Sequence, residues 1–265
     1  MMKKRWIIQI ILVLVLILPS TLSAVRLKET WHKTFHARSG ITFVLGNTNG
    51  SIEVEGWDRE EIDILAEIKI KAPSKSKAQK LLNHLHFDID EGDDRIAIKA
   101  DLPRIRQDSF LNLFFGDKTS ISIDYTVKVP NRADLQLETV NGRVATEEVS
   151  GTFDLRTTNG GIDMRSMEGE GEAHAVNGAI EAVIVDLPED GDLTLKTVNG
   201  GIELKLPEGT GGRLEARTIN GHIDLELDLR ETIKIKRTSV KGILGDGRGT
   251  IYLKTTNGSI SIDAM

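Results

Sequence analysis

The chain of 265 residues contains no cysteine, so disulfide bonds cannot stabilise it and no lipid can be attached to an N-terminal cysteine. Aromatic residues make up only 5% of the sequence, and between residues 133 and 265 only Phe153 and Tyr252 are aromatic. A core in that half must be thin and built from Ile, Leu, Val and Ala. Such a core suits stacked repeats better than a globule.

Long hydrophobic runs are also scarce, and the longest one lies at the N-terminus. Trp6 to Leu18 forms 13 predominantly apolar residues, preceded by the basic residues 3–5 and followed by small residues up to Ala24. This arrangement is typical of a secretory signal peptide, because a membrane-spanning helix needs about 20 apolar residues. We expect residues 1–24 to be a cleaved signal peptide or, alternatively, a retained membrane anchor. Either one places the folded part outside the cytoplasm.

Positive charge is in the minority. The net charge is −6, and removing the three cations of residues 1–24 takes it to −9. A chain this acidic is a poor ligand for nucleic acid, so no nucleic-acid partner is predicted. The most basic segment, KIKRTSVKG at residues 234–242, is interpreted as a solvated strand face.

What the sequence does contain is a repeat. Eight copies follow the pattern T-x-N-G-x-[IV], five in full and three with substitutions, and the last seven begin at intervals of 18, 18, 22, 21, 21 and 16 residues. Periods of this size indicate a repeat architecture. The copies begin at residues 47, 139, 157, 175, 197, 218, 239 and 255. The predicted turn residues are Asn49, Gly50, Asn141, Gly142, Asn159, Gly160, Asn177, Gly178, Asn199, Gly200, Asn220, Gly221, Asn257 and Gly258.

The alternation of apolar residues slips by one position at each Asn-Gly pair. Leu195 and Thr197 share one parity before the pair, and Ile202 shares the other parity after it. Because strand side chains alternate between faces, this slip predicts a turn between two strands that point their apolar residues the same way. Gly200 is interpreted as a residue with positive φ, and Asn199 as one that tolerates the left-handed region.

Two architectures satisfy this pattern. In a parallel β-solenoid, or β-helix, each repeat is one coil and Asn199 faces inward in a ladder of stacked asparagines. In an antiparallel meander, each Asn-Gly closes a two-residue hairpin. The regular period favours an all-β fold with a parallel β-solenoid over residues 133–265, preceded by a β-rich region over residues 25–132.

The copy at 239 departs from the pattern, because Lys241 replaces the asparagine and would interrupt such a ladder. The chain ends seven residues after Gly258, so the last strand is expected at an open end of the solenoid. Open ends invite pairing. Ile260 and Ile262 are therefore candidates for self-association, and lysine at both positions should abolish oligomers while leaving the monomer folded.

The N-terminal region shows alternation typical of half-buried strands at residues 41–46, 51–57, 61–72, 86–90, 95–100 and 120–130. A helix is predicted over residues 74–85, where Ser74 can cap the N-terminus and Ala78, Leu81, Leu82 and Leu85 share one side. We expect this helix to cover one face or edge of the N-terminal sheet.

A loop over residues 102–120 contains Phe110, Phe114 and Phe115. One interpretation is a folded-back segment that plugs the end of the solenoid core, since solenoids need caps. The other is an exposed apolar tip that contacts a partner or a lipid surface.

Known catalytic and metal-binding patterns are missing from the sequence. There is no G-x-S-x-G and no H-E-x-x-H, and the acidic residues 88–94 do not follow the spacing of an EF-hand. Glu91-Gly92-Asp93 is expected to be a solvated hairpin turn. The histidine pairs at 32 and 36 and at 84 and 86 have no third ligand at a recognisable spacing. We predict no catalytic residue, no cofactor and no metal.

The combination of NTNGSIEVEGWDREEIDILAEI, YTVKVPNRADLQLETVNGRV and the serial TTNGGI and TVNGGI motifs resembles a bacterial domain family of unknown function labelled putative adhesin. The similarity covers about residues 40–265. The resemblance implies a strand-rich, solenoid-like domain on the bacterial envelope, and it brings no catalytic residues.

The leading hypothesis is an exported, non-enzymatic binding module whose partner is a glycan or another envelope protein. The residues directly after the turns would line one contact stripe: Arg143, Gly161, Ala179, Gly201, His222 and Ser259. The alternative is a structural protein that self-associates through the solenoid end. A polysaccharide-modifying enzyme is a third hypothesis, although no acid–base pair is visible.

Overall fold

The computed structural model of the protein describes residues 5–6, 25–101 and 119–265. These residues form 21 strands and one helix. The elements are β1 (Arg5–Trp6), β2 (Val25–His36), β3 (Ile41–Gly46), β4 (Ile52–Trp57), β5 (Glu61–Ala72), α1 (Lys75–His84), β6 (His86–Glu91), β7 (Arg95–Asp101), β8 (Ser120–Pro130), β9 (Ala133–Asn141), β10 (Val144–Glu147), β11 (Ser150–Asn159), β12 (Ile162–Asn177), β13 (Ile180–Asp186), β14 (Asp192–Lys196), β15 (Ile202–Leu206), β16 (Gly212–Arg217), β17 (Ile223–Leu225), β18 (Glu231–Lys236), β19 (Ser239–Leu244), β20 (Thr250–Lys254) and β21 (Ile260–Ala264).

The strands lie in two faces that meet at the Asn-Gly turns. The leading face contains the strands that run into the turns, with β6 and β7 at one end and β19 and β18 at the other, in the order β6–β7–β3–β9–β11–β12–β14–β20–β16–β19–β18. The trailing face contains the strands that follow the turns, with β2, β5 and β8 at one end, in the order β2–β5–β8–β4–β10–β12–β13–β15–β21–β17. The long strand β12 contributes its first half to the trailing face and its second half to the leading face.

Pairing is parallel from β7 to β16 on the leading face and from β8 to β17 on the trailing face. The hairpin alternative is wrong, because strands joined by an Asn-Gly turn, such as β14 and β15, pair on different faces. A uniformly parallel solenoid is also too strict a prediction, because the pairs β2–β5, β5–β8, β6–β7, β16–β19 and β18–β19 are antiparallel. The fold is all-β and solenoid-like, with a mixed sheet.

Inward-pointing side chains from both faces form one buried cluster along the molecule. Each coil contributes aliphatic residues from both sides of its turn, such as Leu195 from the leading face and Leu204 from the trailing face, both with 0% exposure. Fully burying one such side chain stabilises the fold by about 1.5–3 kcal/mol. Packing of these stacked aliphatic rows therefore replaces the disulfides that the sequence cannot form.

The last coil does not lie at an open end, which corrects the prediction. Strand β20 lies between β14 and β16, and β21 lies between β15 and β17, so the final repeat is inserted between the coils that turn at Asn199 and Asn220. Ile260 and Ile262 are consequently 0% exposed. They cannot form a self-association surface, and lysine at these positions would be buried in the core.

The copy at 239 is not a coil. Residues Ser239–Leu244 form β19, which runs straight through Gly242 and pairs antiparallel with β16. The asparagine ladder therefore continues past this copy instead of being interrupted by it. Lys241 points outward, and its Nζ lies 2.8 Å from Glu215 Oε2 on the neighbouring strand.

Removing the charge of Lys241 should make stability less dependent on pH in acid. The hydrogen bond from Lys241 lowers the pKa of Glu215 below its ordinary value of 4.5, while burial opposes this shift and Arg217 adds to it. A lowered pKa stabilises the folded state above the unfolded-state pKa, and this contribution is lost as the pH falls through the folded-state pKa. In urea titrations, Lys241→Gln should be less stable than the wild type by up to about 1 kcal/mol at neutral pH. The difference should vanish near pH 2, and an unchanged difference there would contradict the assignment.

The N-terminal end of the molecule combines strands, the helix and most of the aromatic residues. Strands β3 to β8 agree with the predicted strands to within one residue at each end, whereas β2 was not predicted. Ser74 caps helix α1, as predicted, by accepting a hydrogen bond from the Lys77 N–H, and the helix packs against β2 and β5. Trp31 stacks on Phe87 with ring centres 4.4 Å apart, and Phe87 meets Tyr125 edge-on. These rings connect β2, β6 and β8 and so join the two faces.

Two predictions fall outside the part of the chain that can be described. The side chains of residues 1–24 and the loop segment 102–118, with Phe110, Phe114 and Phe115, lie outside the described residues. In the described ranges 25–101 and 119–265, no helix has the length and hydrophobicity needed to cross a membrane.

Candidate functional site

The turns stack into a continuous asparagine ladder. Each side-chain amide donates from Nδ2 to the Oδ1 of the preceding asparagine over 2.7–2.8 Å. The order in space is Asn49, Asn141, Asn159, Asn177, Asn199, Asn257 and Asn220. The ladder lies on the outside of the corner, with Asn199 exposed, so the prediction that Asn199 faces inward is wrong. The amides satisfy one another because the coils stack in register.

In five of the seven stacked turns, the buried polar residue is the threonine two positions before the asparagine. Its Oγ1 donates to the carbonyl oxygen of the glycine in the neighbouring coil, as Thr157 does to Gly142 and Thr197 to Gly178, both over 2.8 Å. Thr139, Thr218 and Thr255 make the same bond. Asn47 takes this role in the first coil by donating to Gly50 and Ile123. The coil with Ala175 has no side-chain donor at this position.

Restoring the missing hydroxyl at Ala175 should stabilise the fold. Ala175 pairs with Thr157 in register, and a threonine there could donate to the Gly160 carbonyl. A hydrogen bond of this kind contributes about 0.5–1.5 kcal/mol. We expect Ala175→Thr to raise the free energy of unfolding by that amount in urea titrations. Ala175→Val adds the same volume without the hydroxyl, and an equal gain from valine would contradict the hydrogen-bond explanation.

The glycine of each turn is required by close stacking more than by its backbone angle. A Cβ on Gly142, Gly178 or Gly258 would lie 1.8–2.0 Å from the carbonyl oxygen of the stacked glycine in the neighbouring coil. A positive φ occurs at Gly50 and Gly160 but not at Gly200, so the conformational reason predicted for Gly200 is wrong. The absence of a side chain lets adjacent turns approach each other.

The residues directly after the turns occupy equivalent positions in successive coils. In spatial order they are Ser51, Arg143, Gly161, Ala179, Gly201, Ser259 and His222, and the carbonyl of each accepts a hydrogen bond from the neighbouring strand. Because the last coil is inserted, Ser259 precedes His222 in this row. His222 lies at one end of the row, and Arg143 lies next to Ser51 at the other end.

Arg143 belongs to a charged cluster on the trailing face. It forms an ion pair with Asp163, which also accepts from Arg165 over 2.9 Å. Asp163 is 7% exposed, so the two arginines surround a nearly buried carboxylate. A shallow groove of about 230 Å³ runs past this cluster and is also lined by Glu53, Glu55 and Glu147. Asp163 and Arg165 were not identified as site residues from the sequence. The 18-residue repeat interval could have placed Asp163 next to Ala145, two residues after Arg143.

His222 joins Ser259 and Asp224 at the other end. Its Nδ1 lies 2.8 Å from Ser259 Oγ, and its Nε2 lies 2.9 Å from Asp224 Oδ2. A serine activated by histidine needs, in addition, an enclosed site with donors for the developing oxyanion. The side chains of His222 and Asp224 are 51% and 63% exposed on an open face. Water competes for these hydrogen bonds, and the arrangement is that of a solvated surface. Among the described residues, no three His, Asp or Glu side chains group as a metal site.

Comparison with known proteins finds one family. The family described as Toastrack DUF4097 matches residues 116–263, which is more than half of the chain and includes every Asn-Gly turn except the first. No curated protein matches the chain.

Among solved structures, the chain is similar to a "putative cell adhesion protein" from Clostridium sporogenes, at 10% identity over 90% of this chain and 100% of that chain with a TM-score of 0.46. A "putative adhesin" from Bacteroides fragilis is 11% identical over 89% and 97% of the two chains, with a TM-score of 0.26. A "putative lipid binding protein" from Parabacteroides distasonis is 11% identical over 89% and 96%, with a TM-score of 0.24. These scores are too low to establish a common fold or role.

Proposed function

The chain belongs to the Toastrack DUF4097 family, which confirms the family resemblance predicted from its sequence, and we propose that it is an exported, non-enzymatic binding module of the bacterial cell envelope. The basic N-terminus followed by an apolar run supports export. The periplasm, the cell surface and membrane anchoring through residues 1–24 are all compatible with that signal. The partner is a glycan or another envelope protein.

The observation that carries this proposal is the exact register of seven stacked turns, which are joined by the asparagine ladder. Register fixes the outward side chains of each coil in straight rows on two faces, with neighbouring strands about 4.8 Å apart. Charged residues in these rows pair with one another, as Glu203 does with Lys205 and Asp154 with Arg156. Rigid rows of this kind suit recognition of an extended partner.

Site-specific crosslinking in cells tests this proposal. A photoreactive residue is placed at Ala179, which is exposed within the row that follows the turns, and a control is placed at Asp93 in the exposed turn between β6 and β7. Ala179 should capture a reproducible glycan or envelope protein, and Asp93 should not. Capture from neither position, or the same products from both, would contradict a binding role for the stacked coils. Charge reversal at Arg143 and His222 is less informative, because both residues already have acidic partners.

One observation favours a second role, in which the protein self-associates. The terminal strand β18 is exposed along its whole length, and Ile233 and Ile235 are 58% and 62% exposed. Its pairing partner among the described residues is β19 alone. Exposed edge strands can pair with a second chain. If this role is correct, Ile233→Lys with Ile235→Lys should abolish oligomers in sedimentation velocity without changing the thermal unfolding temperature, and persistent oligomers would exclude it.

A further inference from the structure

Four cationic side chains and one histidine align across neighbouring strands of the leading face. Arg156 pairs in register with His174, His174 with Lys196, Lys196 with Lys254, and Lys254 with Arg217. We call this set the basic column. Its members alternate with buried residues along each strand, so all five point outward. The column cannot be predicted from the sequence alone, because Lys254 lies between Lys196 and Arg217 only as a result of the insertion of the last coil.

The two central lysines lack the acidic neighbours that the outer members have. Arg156 pairs with Asp154 over 2.6 Å, His174 pairs with Glu172 over 2.8 Å, and Arg217 pairs with Glu215. At the positions that hold carboxylates beside the outer members, the two central strands have Thr194 beside Lys196 and Tyr252 beside Lys254. Within residues 25–101 and 119–265, neither lysine has an ion-pair partner, and Lys196 Nζ lies 5.3 Å from the centre of the Tyr252 ring. Like charges placed opposite each other on adjacent strands destabilise a sheet. Binding of an external anion between the two lysines would relieve this repulsion.

The shape of the basic column selects the kind of anion. Five strands spaced about 4.8 Å apart give a line of about 19 Å along the solenoid axis. The next row contains the carboxylates of Asp154, Glu172 and Glu215. An anionic bilayer would press against this acidic row as well, whereas a single extended polymer can follow the cations alone. The hydroxyl groups of Thr194 and Tyr252 lie beside the lysines and can donate to and accept from sugar hydroxyls.

We propose that the basic column, centred on Lys196 and Lys254, binds an acidic polysaccharide that lies along the stacked coils. This rests on the proposed binding function and deepens it by naming the ligand class and the face. The acidic groups of the polymer neutralise the two central lysines. The polymer runs along the solenoid axis, so each coil adds one basic side chain to the contact.

Binding of polygalacturonate and of dextran sulfate to the full-length chain tests the proposal by isothermal titration calorimetry, with neutral dextran as the uncharged probe. The test variant is Lys196→Gln with Lys254→Gln. The matched control is Lys128→Gln with Lys205→Gln, which removes the same charge from the trailing face, where both lysines are paired with glutamates. We expect the test variant to bind at least one acidic polymer about tenfold more weakly and the control to bind within about twofold of the wild type. Binding should also weaken in about 0.5 M salt.

The test variant should keep the thermal unfolding temperature of the wild type or exceed it, because it removes a like-charge contact. Loss of binding without loss of stability therefore separates the site from the fold. Failure of the wild type to bind either acidic polymer, or equal weakening in the control variant, would overturn the proposal. Equal or tighter binding to single-stranded DNA or to phosphatidylglycerol vesicles would also overturn it. If crosslinking at Ala179 still captures a partner in that case, the binding function stands and only the ligand class fails.

Discussion

Gly200→Ala should lower the free energy of unfolding by at least about 3 kcal/mol. A Cβ at this position would lie 2.1 Å from the carbonyl oxygen of Gly178 and 2.5 Å from its carbonyl carbon. The obstacle is backbone, held in place by the asparagine ladder, so it cannot rotate away as a side chain could. The two coils must separate locally, which stretches the hydrogen bonds on both sides of the turn.

The next residue in the chain provides the matched control. A Cβ on Gly201 would lie 3.2 Å from the Ser259 carbonyl oxygen, and the equivalent positions in other coils already hold Ala179 and Ser259. Gly201→Ala should therefore cost less than about 1 kcal/mol. Gly209→Ala measures only the cost of placing a side chain on a residue with positive φ, because φ at Gly209 is +86° and a Cβ there would meet nothing within 4 Å. Urea titrations of the three variants rank these effects, and a Gly200→Ala cost no larger than that of Gly201→Ala would contradict close stacking.

The N-terminal strands could be predicted closely because each one shows a clear alternation bounded by turn residues. The strand β2 was missed although its burial also alternates. It pairs with β5 along one edge, so most of its inward residues, such as Leu27 and Trp31, are only partly buried, and two inward positions hold the charged residues Glu29 and Lys33. A strand at the edge of a sheet needs fewer apolar side chains, and its sequence signal is correspondingly weaker.

The parity slip at Asn-Gly predicted a turn between two strands with apolar residues on the same side, and the structure has this arrangement in each stacked coil. The slip also distinguishes the copy at 239. Val240, Gly242 and Leu244 are buried at every second position. The alternation therefore continues without a slip, and the strand passes straight through the glycine. The sequence suggested that this copy interrupts the ladder, whereas the absence of the slip removes it from the stack.

The order of the coils could not be predicted, because the turns are nearly identical. A T-x-N-G turn offers the same amide, hydroxyl and carbonyl groups to any neighbour, so local pairing does not distinguish one stacking order from another. The insertion of the last coil depends on the hairpin β18–β19, which occupies the far side of β16 and leaves the space between β14 and β16 for β20. The contact between Ser259 and His222 and the pairing of Lys196 with Lys254 both result from this insertion.

Ile262→Lys should unfold the protein, with a loss of about 3–5 kcal/mol in the free energy of unfolding. Ile262 is 0% exposed and lies in register between Leu204 and Leu225. An ammonium group at this position would be buried among aliphatic side chains without a partner. Ser261→Lys is the matched control, because Ser261 points outward and bonds to Asp263 at the surface, and it should change stability by less than about 0.5 kcal/mol.

A smaller substitution at Ile262 tests where the last coil lies in the stack. Ile262→Ala should cost about 2–5 kcal/mol and leave a cavity next to strands β15 and β17. Because β21 lies between these strands, amide hydrogen exchange should accelerate in both of them. If the final repeat were at an open end, after the coil of β17, exchange would accelerate in β17 alone. Faster exchange confined to β17, or a folded Ile262→Lys variant with wild-type stability, would contradict the inserted position of the last coil.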